Sequence, residues 1–292
     1  MFLLNRRNFL QMTAGAGALT AAGMRPALAA TGADVFTADP MGGLVDSTLV
    51  VGEERLLLID AQFTAPNAQR LADVIAATGK TLETIFITHY HPDHHLGLAI
   101  LMERFPEAKP VAHASVQPLI AGAAQAMLDG MKQALPPELF GDTAVIPEAL
   151  PGDTLELEGE RFDILGPVHG DTEVITPVHL PQLDTLVAAD VLYQDTHLWV
   201  AENLTGEDLN KWRATLDDLE SLGAGTVIPG HRTESSANDA SVYAHMRTYL
   251  DAWEAAMDVQ GSAEDLRAAM IEAVGDLPGG LFLDRGVAAA RG

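Results

Sequence analysis

Between positions 89 and 95 the chain reads His-Tyr-His-Pro-Asp-His-His, which places His89, His91, Asp93, His94 and His95 almost side by side. Imidazole and carboxylate are the ligands a divalent metal such as zinc accepts when thiolate is absent. Thiolate is absent here, because the chain has 0 Cys. In an extended segment residues i and i+2 point the same way, so His89 and His91 can converge on one ion. The turn at Pro92 then swings Asp93 and His94 toward a second. The plain alternative is a polar loop that happens to be rich in histidine, and the spacing argues against it.

Regular elements must hold this block in place. A run of apolar and β-branched residues, Thr84 to Thr88, leads directly into it and reads as a strand. Further strands are predicted at Ser47 to Val51, Arg55 to Ile59, Lys109 to Ala112, Thr154 to Glu158, Phe162 to Leu165, Val174 to His179, Leu183 to Ala188 and Thr226 to Ile228. Helical spacing appears over Asn67 to Ala77, Leu96 to Phe105, Glu207 to Leu222, Ala237 to Met257 and Ala263 to Ala273. Two strand sets with helices outside them imply an α/β layered sandwich. No linker or repeat divides residues 30–292, which read as one domain. The segment Gln125 to Ala149 gives no legible conformation.

Residues 1–29 read as a targeting segment. Asn5 to Gln11 contains the pair Arg6 and Arg7, a mild apolar run follows from Met12 to Met24, and Ala27-Leu28-Ala29 supplies a small-x-small cleavage pattern. That order matches a twin-arginine secretory signal, with export to the periplasm as the expectation. A membrane anchor needs about 20 apolar residues, and this run is shorter and soon interrupted by Arg25 and Pro26. No stable membrane association is expected after cleavage. The formal charge of −24, from 41 Asp+Glu against 17 Lys+Arg, argues against nucleic acid as a partner. It leaves a small-molecule substrate as the expectation and does not fix an oligomeric state.

The pattern H-x-H-x-D-H at the end of a strand resembles the signature of the metallo-β-lactamase-fold hydrolases, and the resemblance extends along the chain. It takes in Leu58-Ile59-Asp60, the His89 to His94 block, His169 with Gly170-Asp171-Thr172, Asp190 at the end of an apolar run, and Pro229-Gly230-His231. The resemblance implies a four-layer αββα sandwich. It also implies a first metal held by His89, His91 and His169, a second held by Asp93, His94 and His231, and Asp190 bridging the two. Asp60 matches a buried acid beneath the site that holds a ligating imidazole by its second nitrogen. His179 competes with His169, which is preferred because it follows Leu165-Gly166-Pro167 in a loop. Asp190 has the plain reading of a turn acid. His95, His113, His197 and His245 belong to no motif and are assigned to surface, core or pocket lining. One departure is Leu96-Gly97, where the family often has two glycines.

Two Zn2+ are the expected cofactors, with Fe or Mn as alternatives. A pair of ions lowers the pKa of water from 15.7 to about 7 and can hold a bridging hydroxide beside a substrate oxygen. Asp93 then counts as a catalytic carboxylate as well as a ligand, and no protein nucleophile is required. There is accordingly no G-x-S-x-G elbow. A bridging aspartate at position 190 is similar to the esterase, thioesterase, lactonase and phosphodiesterase branches rather than the true β-lactamases. Tyr193 stands where acyl-homoserine lactonases place a tyrosine that donates to the substrate carbonyl, although an aromatic there can equally serve packing. The acidic surface disfavours polyanionic substrates. Trp199, with Leu198 and Val200, is either pocket wall or core. The expectation is an exported dinuclear zinc hydrolase of a small ester, lactone or related carbonyl compound. The alternatives are a β-lactamase or phosphodiesterase of the same fold, glyoxalase II, and a periplasmic metal-binding protein without turnover.

Overall fold

The computed structural model describes residues 30–292, so the targeting reading of residues 1–29 lies outside the described residues. Among the described residues, eleven strands and eight α-helices follow one another. The first sheet contains β1 (Gly32–Thr37), β2 (Asp46–Val51), β3 (Arg55–Ile59), β4 (Thr81–Ile87), β5 (Lys109–His113) and β6 (Glu148–Leu150), in that spatial order. Interleaved with them are α1 (Ala65–Ala77), α2 (Pro92–His95), α3 (Leu98–Arg104) and α4 (Gln117–Ala134). The second sheet contains β7 (Thr154–Leu157), β8 (Glu160–Ile164), β9 (Val178–Leu180), β10 (Thr185–Gln194) and β11 (Thr226–Arg232), arranged β11-β10-β9-β8-β7. Helix α5 (Gly206–Glu220) connects β10 to β11, and α6 (Ser241–Asp258), α7 (Ala263–Val274) and α8 (Gly280–Arg291) close the chain.

Strand β3 explains why the layers stack as they do. Its run Leu56-Leu57-Leu58-Ile59 is apolar on both faces, which only a strand covered on both sides can sustain. Leu56 and Leu58 pack with Leu71 and Ile75 of α1, while Leu57 and Ile59 meet Phe162 and Ile164 of the second sheet. Each such side chain stabilises the fold by about 1.5–3 kcal/mol through burial. On the far side, β10 packs Leu186 and Leu192 against Trp212 of α5, Tyr249 and Trp253 of α6 and Leu283 of α8. The result is the αββα sandwich. Strand β8, by contrast, alternates buried and exposed residues and has only one covered face.

Several predicted elements change. The run Val174 to His179 is a strand only from Val178, because Pro177 has no N–H to donate to a ladder. The helix predicted over Leu96 to Phe105 is α3, which starts only at Leu98, and Leu96 and Gly97 separate it from the single turn α2. Helix α4 runs into the segment that had no legible conformation and ends at Ala134. It buries only Ile120, Ala124 and Leu128, a stripe one residue wide and too narrow to read from the pattern. Strands β1 and β6 and helix α8 also emerge only in the fold.

Candidate metal centre

Strand β4 ends at Ile87, and the next residues turn into the single-turn helix α2, with His91 at its N-cap and Pro92 at its first position. Proline suits that position because its missing N–H is not needed there. This turn delivers His89, Asp93 and His94 to one end of the sandwich. Gly97 lets it seat: a Cβ at that residue would lie 2.0 Å from the Ala61 carbonyl oxygen. The second of the two glycines the family often has is therefore the one the packing requires.

Asp190 arrives from the other sheet. The pairing of β10 with β11 shifts register on both sides of Ala189, whose φ of 48° lies in the left-handed region. That irregularity turns the Asp190 carboxylate out of the ladder and into the centre. Gly230 of β11 must be glycine, because a Cβ there would sit 1.9 Å from Asp190 Oδ1.

Three histidines aim the same nitrogen at this carboxylate. His94 Nε2 lies 3.1 Å from Asp190 Oδ1, and the Nε2 atoms of His231 and His89 lie 3.2 and 3.6 Å from Oδ2. Their other nitrogens are engaged elsewhere. His94 Nδ1 donates to Asp60 Oδ2 at 2.8 Å, and His231 Nδ1 donates to the Gly43 carbonyl at 2.7 Å. His89 Nδ1 lies 3.0 Å from Thr88 Oγ1, which itself donates to Asp60 at 2.8 Å. One buried aspartate thus orients His94 directly and His89 through Thr88. With the hydrogen on Nδ1, each Nε2 presents a lone pair to a carboxylate oxygen, so that acceptor faces acceptor.

Only a proton or a cation can make that arrangement favourable. Among the described residues, the buried His89 Nε2, His94 Nε2, Asp171 Oδ1 and Asp190 Oδ1 have no hydrogen-bond partner. Two groups of ligand atoms, each lying within 4.8 Å of one another, combine His89, His91, Asp171 and Asp190 on one side and Asp93, His94 and His231 on the other. Every charged contact that these aspartates make among the described residues is to a histidine. The nearby Arg232 is committed to Asp46 at 2.8 Å. The donor set therefore fits divalent metal.

The protonation behaviour of the centre carries the same message. Burial by itself pushes these imidazoles down, as it does for His89, which falls to about 4 with help from the His94 charge. In His94 the carboxylates of Asp190 and Asp60 overcome burial and hold it well above its ordinary value. Burial also raises Asp171, to about 7, with Asp190 adding to it. A cation would relieve this conflict between buried carboxylates.

Of the residues expected from the sequence, His89, His91, Asp93, His94, Asp190 and His231 are brought together, and Asp60 lies beneath His94. His169 is not among them. Its Nε2 pairs with Asn203 Oδ1 at 2.7 Å, and Asp171 stands in the first group in its place. The physical reason is Asn203, fully buried, whose Nδ2 donates to the carbonyls of Gly170 (3.2 Å) and Asp171 (2.7 Å) and fixes the loop that carries both residues. Asp171 sits two positions after His169 in the quoted motif, which is the only trace it leaves in the sequence. His179 lies in β9, paired with Leu186 and Asp163, apart from both groups.

Tyr193 is also placed differently from the expectation that it donates to a substrate carbonyl. It is fully buried, and its hydroxyl lies 2.8 Å from Asp171 Oδ2 and 2.9 Å from Asp190 Oδ2. Its one hydrogen is already directed at carboxylates. Its ring stacks on His231 at 4.9 Å. The remaining histidines take bland positions: His95 bonds the Tyr90 carbonyl, His113 lies between Ser115 and Asp153, His197 meets the Tyr249 hydroxyl, and His245 reaches the Thr196 carbonyl.

Three further residues had no sequence motif. Glu202 accepts from His91 Nε2 at 2.8 Å and from Tyr90 and Thr172 at 2.9 and 2.8 Å. These bonds hold its carboxyl down to about 2 although burial works the other way. Asn203 is its neighbour. Phe282, from α8, packs edge-on to His231 at 5.0 Å and to Trp199 at 6.2 Å, and Trp199 in turn lies 6.0 Å from His91. Leu198 and Val200, by contrast, are core.

Residues 40–231 match the family model described as the metallo-beta-lactamase superfamily. Among solved structures, a metallo-beta-lactamase family protein from Thermus thermophilus is 20% identical, with a TM-score of 0.62 over 89% of this chain and 91% of that one. A metallo-beta-lactamase from Pontibacter korlensis is also 20% identical, with a TM-score of 0.54 over 71% of this chain and 87% of that one. A metallo-beta-lactamase from Pseudomonas aeruginosa, solved in a mono-zinc form, is 15% identical, with a TM-score of 0.54 over 75% and 89%. These likenesses concern the fold. No curated protein matches the chain.

Proposed function

Because the chain belongs to the metallo-beta-lactamase superfamily, we propose that it is a metal-dependent hydrolase holding two divalent cations, zinc foremost, that cleaves a small ester, lactone or related carbonyl compound. The observation that carries this reading is the position of Asp190, whose two oxygens face histidines of both ligand groups. One cation would be held by His89, His91 and Asp171, the other by Asp93, His94 and His231, with Asp190 between them. When bound, such a pair supplies an activated water and positive charge against a developing oxyanion.

The chain's own residues do the rest. Asp60 fixes the rings of His94 and His89, so that the Nε2 lone pairs point inward without reorganisation. Tyr193 steadies the Asp190 and Asp171 carboxylates. Trp199 and Phe282 supply apolar surface beside His91 and His231, which suits an uncharged, partly apolar substrate. The exposed carboxylate of Glu202 and the formal charge of −24 disfavour a polyanionic one. Zero Cys leaves no thiol nucleophile to invoke.

Export to the periplasm by the twin-arginine route is part of the same proposal and rests on residues 1–29 alone. Among the described residues no helix is long and apolar enough to cross a membrane. The test is metal analysis of the purified protein with a hydrolysis panel of lactones, carboxylic esters, thioesters, β-lactams and phosphodiesters. Two metal equivalents with turnover confined to lactones or esters is the expected result. Bound metal with no turnover on any class would make this a metal-binding protein, and turnover of β-lactams or phosphodiesters would move it to another branch.

A further inference from the structure

We propose that Glu202, in the loop between β10 and α5, is a positioning residue that fixes the tautomer of His91 and thereby sets the affinity of one of the two cation positions. The inference rests on the two-cation reading above and concerns a residue that no ligand motif includes.

His91 can carry its hydrogen on either nitrogen, and its surroundings decide which. Glu202 Oε1 lies 2.8 Å from His91 Nε2, while His91 Nδ1 lies 3.2 Å from Asp171 Oδ2 inside the first ligand group. A carboxylate can only accept, so contact with Glu202 requires hydrogen on Nε2 and leaves the Nδ1 lone pair toward the centre. The opposite tautomer would turn an N–H inward and a lone pair against Glu202. Glu202 therefore does for His91 what Asp60 does for His94, from the outer side of the centre.

Glu202 is itself held firmly. Oε1 also accepts from Trp199 Nε1 at 3.3 Å, and Oε2 accepts from the hydroxyls of Tyr90 at 2.9 Å and Thr172 at 2.8 Å. All four partners are donors and together use both oxygens. Its neighbour Asn203 pins the Gly170-Asp171 backbone. The pair Glu202-Asn203 thus ties the segment carrying His91 to the segment carrying Asp171, although the two are far apart in sequence. The Glu202 side chain is 36% exposed and that of His91 only 9%, so the bond runs from the surface inward.

This pattern makes Glu202→Leu the informative change, because it removes the acceptor at a similar size, whereas a glutamine amide can keep its oxygen on His91 and Trp199 and donate its NH2 to the hydroxyls of Tyr90 and Thr172. The full chain, freed of metal by chelator dialysis, would be titrated with Zn2+ against a chromophoric chelator and separately with Co2+ for its visible absorption. Loss of such an outer partner weakens metal binding by roughly 10–100-fold. That loss is expected in one binding step of Glu202→Leu, with the other step unchanged, an altered Co2+ band at full loading, and cooperative unfolding of the metal-free protein retained. Glu202→Gln, which keeps an acceptor for His91 Nε2, is expected to retain most of the affinity. Unchanged affinity in both steps with an unchanged Co2+ spectrum would overturn the proposal, as would equal weakening of both steps with a lowered metal-free unfolding temperature. If the unaltered protein fails to bind two ions, the two-cation reading falls as well. If it binds two and Glu202→Leu matches it, only the role of Glu202 falls.

Discussion

The Tyr193 hydroxyl lies between two buried carboxylates and places its single hydrogen within reach of Asp190 Oδ2 at 2.9 Å, three residues before it on the same strand. Position 193 thereby becomes part of the support for the carboxylate that faces both ligand groups.

Tyr193→Phe should keep the ring stacked on His231 and remove only the hydrogen that Asp190 and Asp171 share. Loss of a buried hydrogen bond to a charged acceptor costs about 1–3 kcal/mol. The variant is expected to melt at a lower temperature without metal, to bind Zn2+ more weakly and to turn over esters or lactones more slowly. Calorimetry and metal titration check this; unchanged metal affinity together with slower turnover would return the hydroxyl to the substrate.

Asp171 and His169 make opposite predictions. Asp171→Asn removes a carboxylate oxygen from the first ligand group and should weaken one metal-binding step by at least about tenfold. His169→Ala removes a partner of Asn203 and should leave both steps within a few-fold of the starting protein, with some loss of stability. Isothermal titration of both variants decides between them, and a larger metal loss in His169→Ala would restore the histidine as ligand.

Gly230→Ala places a Cβ where Asp190 Oδ1 now lies, at 1.9 Å. Neither group can yield cheaply, since Gly230 is backbone in a paired strand and Asp190 is buried. Overpacking of this kind costs about 1–3 kcal/mol. Lower thermal stability and impaired binding of both ions are expected, because Asp190 faces both groups. A variant that binds metal normally would show that the carboxylate has another resting place.

Phe282 lies beyond the span 40–231 matched by the family and reaches the centre only because α8 folds back over it. Phe282→Ala should raise KM for substrates with an apolar group about tenfold, equivalent to ~1.4 kcal/mol, while leaving metal content and kcat nearly as before. Comparing a short with a longer acyl ester is the measurement, and an equal change for both would remove Phe282 from substrate contact.

Much of the centre was legible because its parts are neighbours in the chain. His89, His91, Asp93 and His94 follow one strand, and a strand end followed by a proline turn presents them together whatever the rest of the molecule does. Asp60, Asp190 and His231 were legible through the short motifs around them. The motif pointed to His169 where the fold presents Asp171, because the choice depends on Asn203, which lies far along the chain and carries no motif. Helix α4 was missed because three small or single apolar contacts over its 18 residues do not make a readable stripe.

The sequence by itself determined the ligand chemistry: imidazole and carboxylate without thiol, closely spaced after one strand, with strands whose doubly apolar runs demand cover on both faces. Tertiary structure decided which nitrogen each histidine offers, which of two neighbouring residues turns inward, and which distant side chains steady them. Ligand type and local spacing are properties of short segments, set by bond geometry and side-chain chemistry. Tautomer, orientation and enclosure are set by partners such as Asp60, Glu202, Asn203 and Phe282, which meet the centre only when the two sheets and their helices pack.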